Sequence, residues 1–250
     1  MNALSKNIKP IIEIKDLKKS YGDNHVLNGF NMVLNEGENL VIMGKSGSGK
    51  SVMIKCLIGL EKPDSGSITV MGENISELNQ STLDDLRTEI GFLFQGSALY
   101  DSMTVRENLE FPLRRHTKKF GVLKDTTPLV MEALENVGLA HTLNLMPAEL
   151  SGGMKRRIAL ARTLILQPKI ILYDEPTTGL DPITAKEILL LMKSIQEKYN
   201  TSAIIITHDV DCARVISNRM ILLVDGINYT EGIFEELSKS IDPKIQAFFK

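Results

Sequence analysis

No stretch of this 250-residue chain approaches the roughly 18 uninterrupted apolar residues of a membrane-crossing helix. Met1–Pro10 also lacks the apolar core of a secretory signal, which argues against export. Both absences point to a soluble, cytoplasmic chain whose work at a membrane runs through a partner. Charge of one sign is missing too: 29 Lys and Arg face 31 Asp and Glu. No global field therefore draws the chain to nucleic acid or to an anionic membrane surface. Cysteine is scarce, with Cys56 and Cys212 in apolar helical contexts and without metal-ligand spacing. They read as buried thiols in a reducing compartment rather than as a disulfide framework. Internal repeats and low-complexity tracts are likewise absent.

What is present suits one large α/β domain, or two small domains packed closely. Alternation around Glu13 in Ile11–Ile14, the turn-rich segment after Tyr21, and Val26–Leu34 predict strands. Asn39–Met43 is a short apolar run of the buried-strand kind, followed by a glycine-rich loop and a helix predicted over Lys50–Leu60. Ser67–Met71 predicts another strand, so strands on both sides of the loop suggest a small antiparallel layer. From Ser81 to about Arg115 the pattern is mixed, with one short strand at Ile90–Phe94 and a helical stretch after Thr104. Residues 126–167 read as mainly helical. Beyond them, apolar runs at Ile170–Tyr173, Ala203–Ile206 and Met220–Val224 alternate with helices over 182–199 and 209–217, the pattern of parallel βαβ units. The tail Asp242–Lys250 reads as helical, with Phe248 and Phe249 able to pack back on the domain.

The loop after Met43 fits the phosphate-binding pattern G-x-x-x-x-G-K-[ST]: Gly44, Lys45, Ser46, Gly47, Ser48, Gly49, Lys50 and Ser51, with Val52 following on the helix. Glycines let backbone N–H groups converge on phosphate oxygens, and the helix start adds partial positive charge. In that chemistry Lys50 reaches the β- and γ-phosphates of ATP, and the Ser51 hydroxyl ligates Mg2+. A metal so held needs a carboxylate, and Ile170–Tyr173 leads into Asp174 and Glu175 at a strand C-terminus, where open α/β sheets bind ligands. Asp174 is the candidate for the metal. Glu175, one residue past the strand, is the candidate for orienting and polarising the attacking water.

A second helix start carries a similar chemistry. Leu150-Ser151-Gly152-Gly153-Met154-Lys155-Arg156-Arg157 opens a helix with a hydroxyl and bare backbone N–H groups. One γ-phosphate does not easily meet both helix starts within a monomer, whereas a head-to-tail dimer brings them together.

This segment resembles the signature of the ABC ATPase family, LSGGQ, here LSGGM. The resemblance implies an α/β P-loop NTPase fold: a mostly parallel sheet core, an antiparallel β layer and an inserted helical subdomain. It spans about residues 11–240, with the core in 1–95 and 168–240, the helical subdomain in 96–167 and a short C-terminal helix in 241–250. It implies that Ser151, Gly152 and Gly153 of one subunit close over the γ-phosphate held by the other. Tyr21 matches the aromatic residue that stacks on adenine, and Gln95 the glutamine that contacts Mg2+ or the lytic water. Asp181, in Gly179-Leu180-Asp181-Pro182, matches the loop joining the two sites, and His208 the switch histidine that reaches the γ-phosphate.

Phe94–Asn108 and Phe111–His116 match the region that receives the coupling helix of a membrane permease. With one P-loop and one signature, the expected unit is a homodimer of ATPase subunits, peripheral on the cytoplasmic face of the inner membrane. Three details resemble the Mla-type ATPases that move phospholipid between membranes: FQGSALYDSMTVRENLEFPLR, MPAELSGGMKRR, and the ending from Ser240 to Phe249. That resemblance implies lipid as cargo, with a periplasm-facing lipid-binding subunit and a small cytoplasmic accessory protein as further partners. An ABC ATPase serving an amino acid, a drug or another small molecule is the alternative. A soluble ABC ATPase acting on DNA or ribosomes fits less well, because such chains usually fuse two ATPase domains or insert long coiled coils.

Overall fold

The computed structural model describes residues 10–116, 119, 121 and 124–249. Of the expectations above, those for Met1–Lys9 and Lys250 lie outside the described residues. Among the described residues, ten strands form two sheets: a four-stranded sheet ordered β2-β1-β4-β5 and a six-stranded sheet ordered β10-β9-β3-β8-β7-β6. In the first, β1 (Pro10–Tyr21) pairs antiparallel with both β2 (Asn24–Asn35) and β4 (Ser65–Val70), and β5 (Glu73–Asn74) closes the edge. In the second, β3 (Asn39–Met43) runs parallel between β8 (Ser202–Thr207) and β9 (Arg219–Val224). Next to β8 lie β7 (Ile170–Asp174) and β6 (Ile90–Leu93), also parallel, while β10 (Ile227–Gly232) is the antiparallel edge.

The parallel strands are continuous apolar runs because both faces of their sheet are covered. Alternate side chains divide between two cores, as the pleat requires. Leu40, Ile42, Leu172, Ile204, Ile206 and Ile221 face the antiparallel sheet and helix α1 (Lys50–Leu57). Val41, Met43, Ile171, Ile205 and Leu222 face the opposite side, against the helices Pro182–Tyr199 and Val210–Ile216. A third core, around Val105, Leu109, Val130, Leu134 and Ile158, joins the helices that lie between β6 and β7 in the chain.

Some local expectations differ from the structure. The helix predicted to Leu60 stops at Leu57, because Gly59 turns left-handed (φ 66°) and the N–H groups of Leu60 and Glu61 both donate to the Lys55 carbonyl. Within the stretch read as mixed, α2 (Gln80–Arg87) forms, capped by the Asn79 side chain, which accepts from Thr82 N at 3.0 Å. After it comes α3 (Val105–Arg115), started by a Thr104–Glu107 capping box. Asn108, fully buried on α3, accepts from Tyr100 N (2.8 Å) and donates to the carbonyls of Tyr100, Met103 and Thr104. It thereby fixes the turn leading into the helix. Among the described residues, this block also holds α4 (Thr127–Asn136) and α5 (Gly152–Leu164).

Candidate functional site

The loop between β3 and α1 shows why its glycines are needed. Gly49 sits at φ 102°, and a Cβ there would fall 2.9 Å from the Val26 carbonyl. Gly47 is also left-handed, at φ 79°. No side chain caps the start of α1, so the first N–H groups of the helix face the loop. Lys50 folds over this turn and donates from Nζ to the carbonyls of Gly44 (2.6 Å) and Lys45 (3.0 Å). Burial pulls the pKa of its ammonium below the ordinary lysine value, against the opposing attraction of Glu175 and Asp174. Ser48 Oγ is buried without a hydrogen-bond partner, a donor that an anion in the loop can satisfy.

Opposite the loop, β7 delivers Asp174 and Glu175. Burial, reinforced by the neighbouring Glu175, raises the Asp174 carboxyl above its ordinary value, with Lys50 acting the other way. Glu175 takes a left-handed conformation (φ 49°), and its N–H donates to Ile206 O on the adjacent strand (2.9 Å). Its Oε2 accepts from Thr178 Oγ1 (3.2 Å) and Thr207 Oγ1 (3.4 Å), and its Oε1 lies 2.8 Å from His208 Nδ1. The carboxylate is nearly enclosed, with 13% of its side chain exposed against 68% for His208.

A cleft of about 690 Å³ brings these groups together, within the usual size of ligand sites. Tyr21, Gly44, Ser46, Gly47, Ser48, Gly49, Lys50, Ser51, Val52, Gln95, Asp174, Glu175 and His208 all line it. Tyr21 is half exposed, and its hydroxyl donates to Glu61. Lys45 lies outside this set: it lends its carbonyl to Lys50, while its side chain lines a neighbouring cleft with His25, Asp225 and Lys244. The residues fit MgATP on two counts. Ser51, Gln95 and Asp174 offer the hard oxygens that Mg2+ takes, and a cation would reverse the penalty now on the Asp174 carboxylate. Among the described residues no group of three or more His, Cys, Asp or Glu is arranged to hold a metal ion by itself.

The second group of expected residues lies elsewhere. Ser151 caps α5, its Oγ accepting from Met154 N at 3.2 Å. Asp181 caps α6 (Pro182–Tyr199), accepting from Ile183 N (3.1 Å), Thr184 N (3.0 Å) and Thr184 Oγ1 (2.5 Å). The bonds from Thr184 hold its carboxyl below the ordinary aspartate value. A Cβ on Gly153 would meet Thr184 Cγ2 at 2.7 Å, so this glycine permits close packing of α5 against α6. Ser151, Gly152, Gly153, Gly179 and Asp181 line a cleft of about 440 Å³ that shares no lining residue with the first.

Three residues were not singled out from the sequence. Thr178 and Thr207 hold the Glu175 carboxylate, and each stands one residue before a position already marked, Gly179 and His208. Arg156, buried on α5, donates to the carbonyls of Phe94, Gln95 and Thr178. Carbonyl acceptors leave no trace in a side-chain pattern.

The comparisons with known proteins agree with this geometry. A family model described as ABC transporter matches residues 27–178. Methionine import ATP-binding protein MetN of Brucella abortus (strain 2308) is 41% identical over 224 residues, 89% of this chain and 60% of that one. The probable ribonucleotide transport ATP-binding protein mkl of Mycobacterium leprae is 40% identical over 237 residues, covering 95% and 68%. The chain thus spans about 60% of the length of the methionine-import relatives. Among solved structures, the ATP-binding cassette MJ0796, in a dimeric post-hydrolysis state bound to ADP and Pi, has a TM-score of 0.80 at 34% identity, covering 89% of this chain and 98% of that one. CbiO1 from Clostridium perfringens, described as part of the ABC transporter complex cbiONQ, has a TM-score of 0.83 at 29% identity, covering 91% and 90%. By fold, by site and by these relatives, the chain belongs to the ATP-binding family of ABC transporters.

Proposed function

We propose that this chain hydrolyses MgATP at two sites shared between two copies, and that through a separate integral membrane permease it energises lipid transport between membranes. The observation that carries the shared site is the separation of the two clefts. The loop, Lys50 and Glu175 line one, and the signature residues line another with no residue in common. A second copy supplies Ser151, Gly152, Gly153 and Asp181 to the phosphates that the first copy holds. That MJ0796, similar over nearly its whole length, is described as dimeric supports this arrangement.

Within the site, Tyr21 stacks on adenine, and residues 44–52 wrap the phosphates. Lys50 swings from its loop carbonyls to the β- and γ-phosphates. Ser51, Gln95 and Asp174 would hold Mg2+, which would supply neutralisation of the charge that develops on the transferring phosphoryl group. Glu175 orients and polarises the attacking water. His208, already on Glu175 Oε1, contacts the γ-phosphate from the exposed side.

Ser151→Arg tests the shared site. The variant should fold and bind ATP as a monomer, while its specific hydrolysis rate stays low and independent of protein concentration. The parent's rate should rise with concentration. A variant with the parent's rate and concentration dependence contradicts the shared site.

Lipid as cargo is supported by the FQGSAL and SGGMKRR segments, and small-molecule import is favoured by the 41% identity to methionine-import proteins. As a subunit similar to transporter ATPases, the chain is proposed to sit peripherally on the cytoplasmic face of the inner membrane; among the described residues no helix is long and apolar enough to cross a membrane. Phe94 and Tyr100 are exposed, and the Tyr100 ring lies 4.8 Å from that of Phe111, offering the permease an aromatic platform. A periplasm-facing lipid-binding subunit and a small cytoplasmic accessory protein complete the assembly. With the permease reconstituted in vesicles, ATP-dependent transfer of a fluorescent phospholipid is expected. ATP-driven methionine uptake without lipid transfer would replace lipid by amino acid as cargo.

A further inference from the structure

We propose that Arg156 is a positioning residue for hydrolysis: its guanidinium ties the loop carrying Gln95 and the loop leaving Glu175 to the helix that begins at the signature. This rests on the hydrolytic roles assigned above to Gln95 and Glu175. Arg156 is only 4% exposed. It donates from Nη1 to Phe94 O (2.7 Å) and from Nη2 to Gln95 O and Thr178 O (3.4 Å). Its Nε is buried without a partner, and among the described residues no carboxylate lies in ion-pair range.

A buried full charge compensated by carbonyl dipoles alone is a costly way to fill a core position, and an apolar side chain would fill it with less penalty. What the guanidinium adds is reach. Its planar fork of donors spans carbonyls on two separate loops, which neither an ammonium nor an amide does as well.

The same helix holds the first loop a second time. Arg162 donates to Ala98 O (2.8 Å) and Ser97 O (3.2 Å), fixing residues that both stand in the left-handed region (φ 50° and 61°). Arg162 therefore secures the shape of the 94–98 loop. Arg156 alone of the two also grips Thr178, whose hydroxyl bonds to the Glu175 carboxylate. A shift at Ser151–Gly153 when a partner's nucleotide arrives is carried by Arg156 to both Gln95 and Glu175. The second cleft thereby reports to the first within one chain.

The test uses the full chain with Arg156→Met, which removes every donor, and Arg156→Lys, which keeps the charge without the fork. Steady-state hydrolysis and backbone hydrogen exchange, each with and without MgATP, are compared. In Arg156→Met, kcat should fall by about 10- to 100-fold while KM for ATP stays within about 3-fold, the pattern of a group acting after binding. Exchange should speed up in 94–98 and 176–181 together and remain unchanged in 44–52. Arg156→Lys should fall between parent and Arg156→Met. Parental kcat with parental exchange in both loops overturns the proposal, and so does a fall in kcat matched by an equal loss of ATP affinity. Failure of both variants to fold assigns Arg156 to stability alone and overturns it as well. If the parent itself hydrolyses no ATP, the hydrolytic function fails, and the exchange comparison still decides whether Arg156 couples the two loops.

Discussion

Glu175→Gln is expected to lower kcat by about 10²- to 10⁴-fold, the usual contribution of a positioned general base, while ATP binding stays near the parental value. The substitution is close to isosteric. Thr178 and Thr207 can still donate to the remaining carbonyl oxygen, so the side chain stays in place and its charge and basicity are what is lost. Removing one of two adjacent carboxylates also relieves Asp174, whose carboxyl is raised partly by Glu175. The nucleotide-bound form should therefore persist. Rapid-quench hydrolysis beside equilibrium ATP binding separates the two effects, and an unchanged kcat would remove Glu175 from its role.

Lys50→Ala should act on binding itself. In the proposed site Lys50 is the cation that meets the phosphates, and a charge-assisted hydrogen bond contributes about 1.5–3 kcal/mol, so ATP affinity should fall by roughly 10- to 100-fold with hydrolysis lost. The loss extends to the carboxylates. Lys50 draws the pKa of Asp174 downward, and without it that carboxyl rises further and becomes a poorer Mg2+ ligand near neutral pH. Isothermal titration with MgATP measures this directly; parental affinity in Lys50→Ala would remove the loop from phosphate binding.

Those two residues were legible because their chemistry is local. A glycine-rich turn, a lysine at a helix start and acids at a strand end are each written in consecutive positions. The central strands were equally plain, since burial on both faces makes them unbroken apolar runs. By contrast, α2 was hidden by its polar composition, QSTLDDLR, with only Leu83 and Leu86 buried. The edge strand β10 and the short helix Phe234–Leu237 were not anticipated either, because one strand partner and partial burial leave little pattern. Phe249 does pack back, edge-on to Phe234 with ring centroids 5.5 Å apart, although the helix in the tail covers only Pro243–Gln246.

The shape of the site was legible in part. That the helix starts at Lys50 and Gly152 line different clefts agrees with the argument that one γ-phosphate does not easily meet both. How Glu175 is held does not follow. Its partners, Thr207 and His208, lie 32 and 33 residues away, brought close by β8 running beside β7. Arg156 is further from legibility still, reaching carbonyls 61 and 62 residues distant whose identity no side chain announces.

The shared site is tested most directly by the mass of the Glu175→Gln chain in sedimentation equilibrium, with and without ATP, together with the number of ATP molecules retained. A monomer without nucleotide that becomes a dimer holding one ATP per chain is the predicted result. A chain that binds ATP fully and remains monomeric at concentrations far above its dissociation constant for ATP would contradict it.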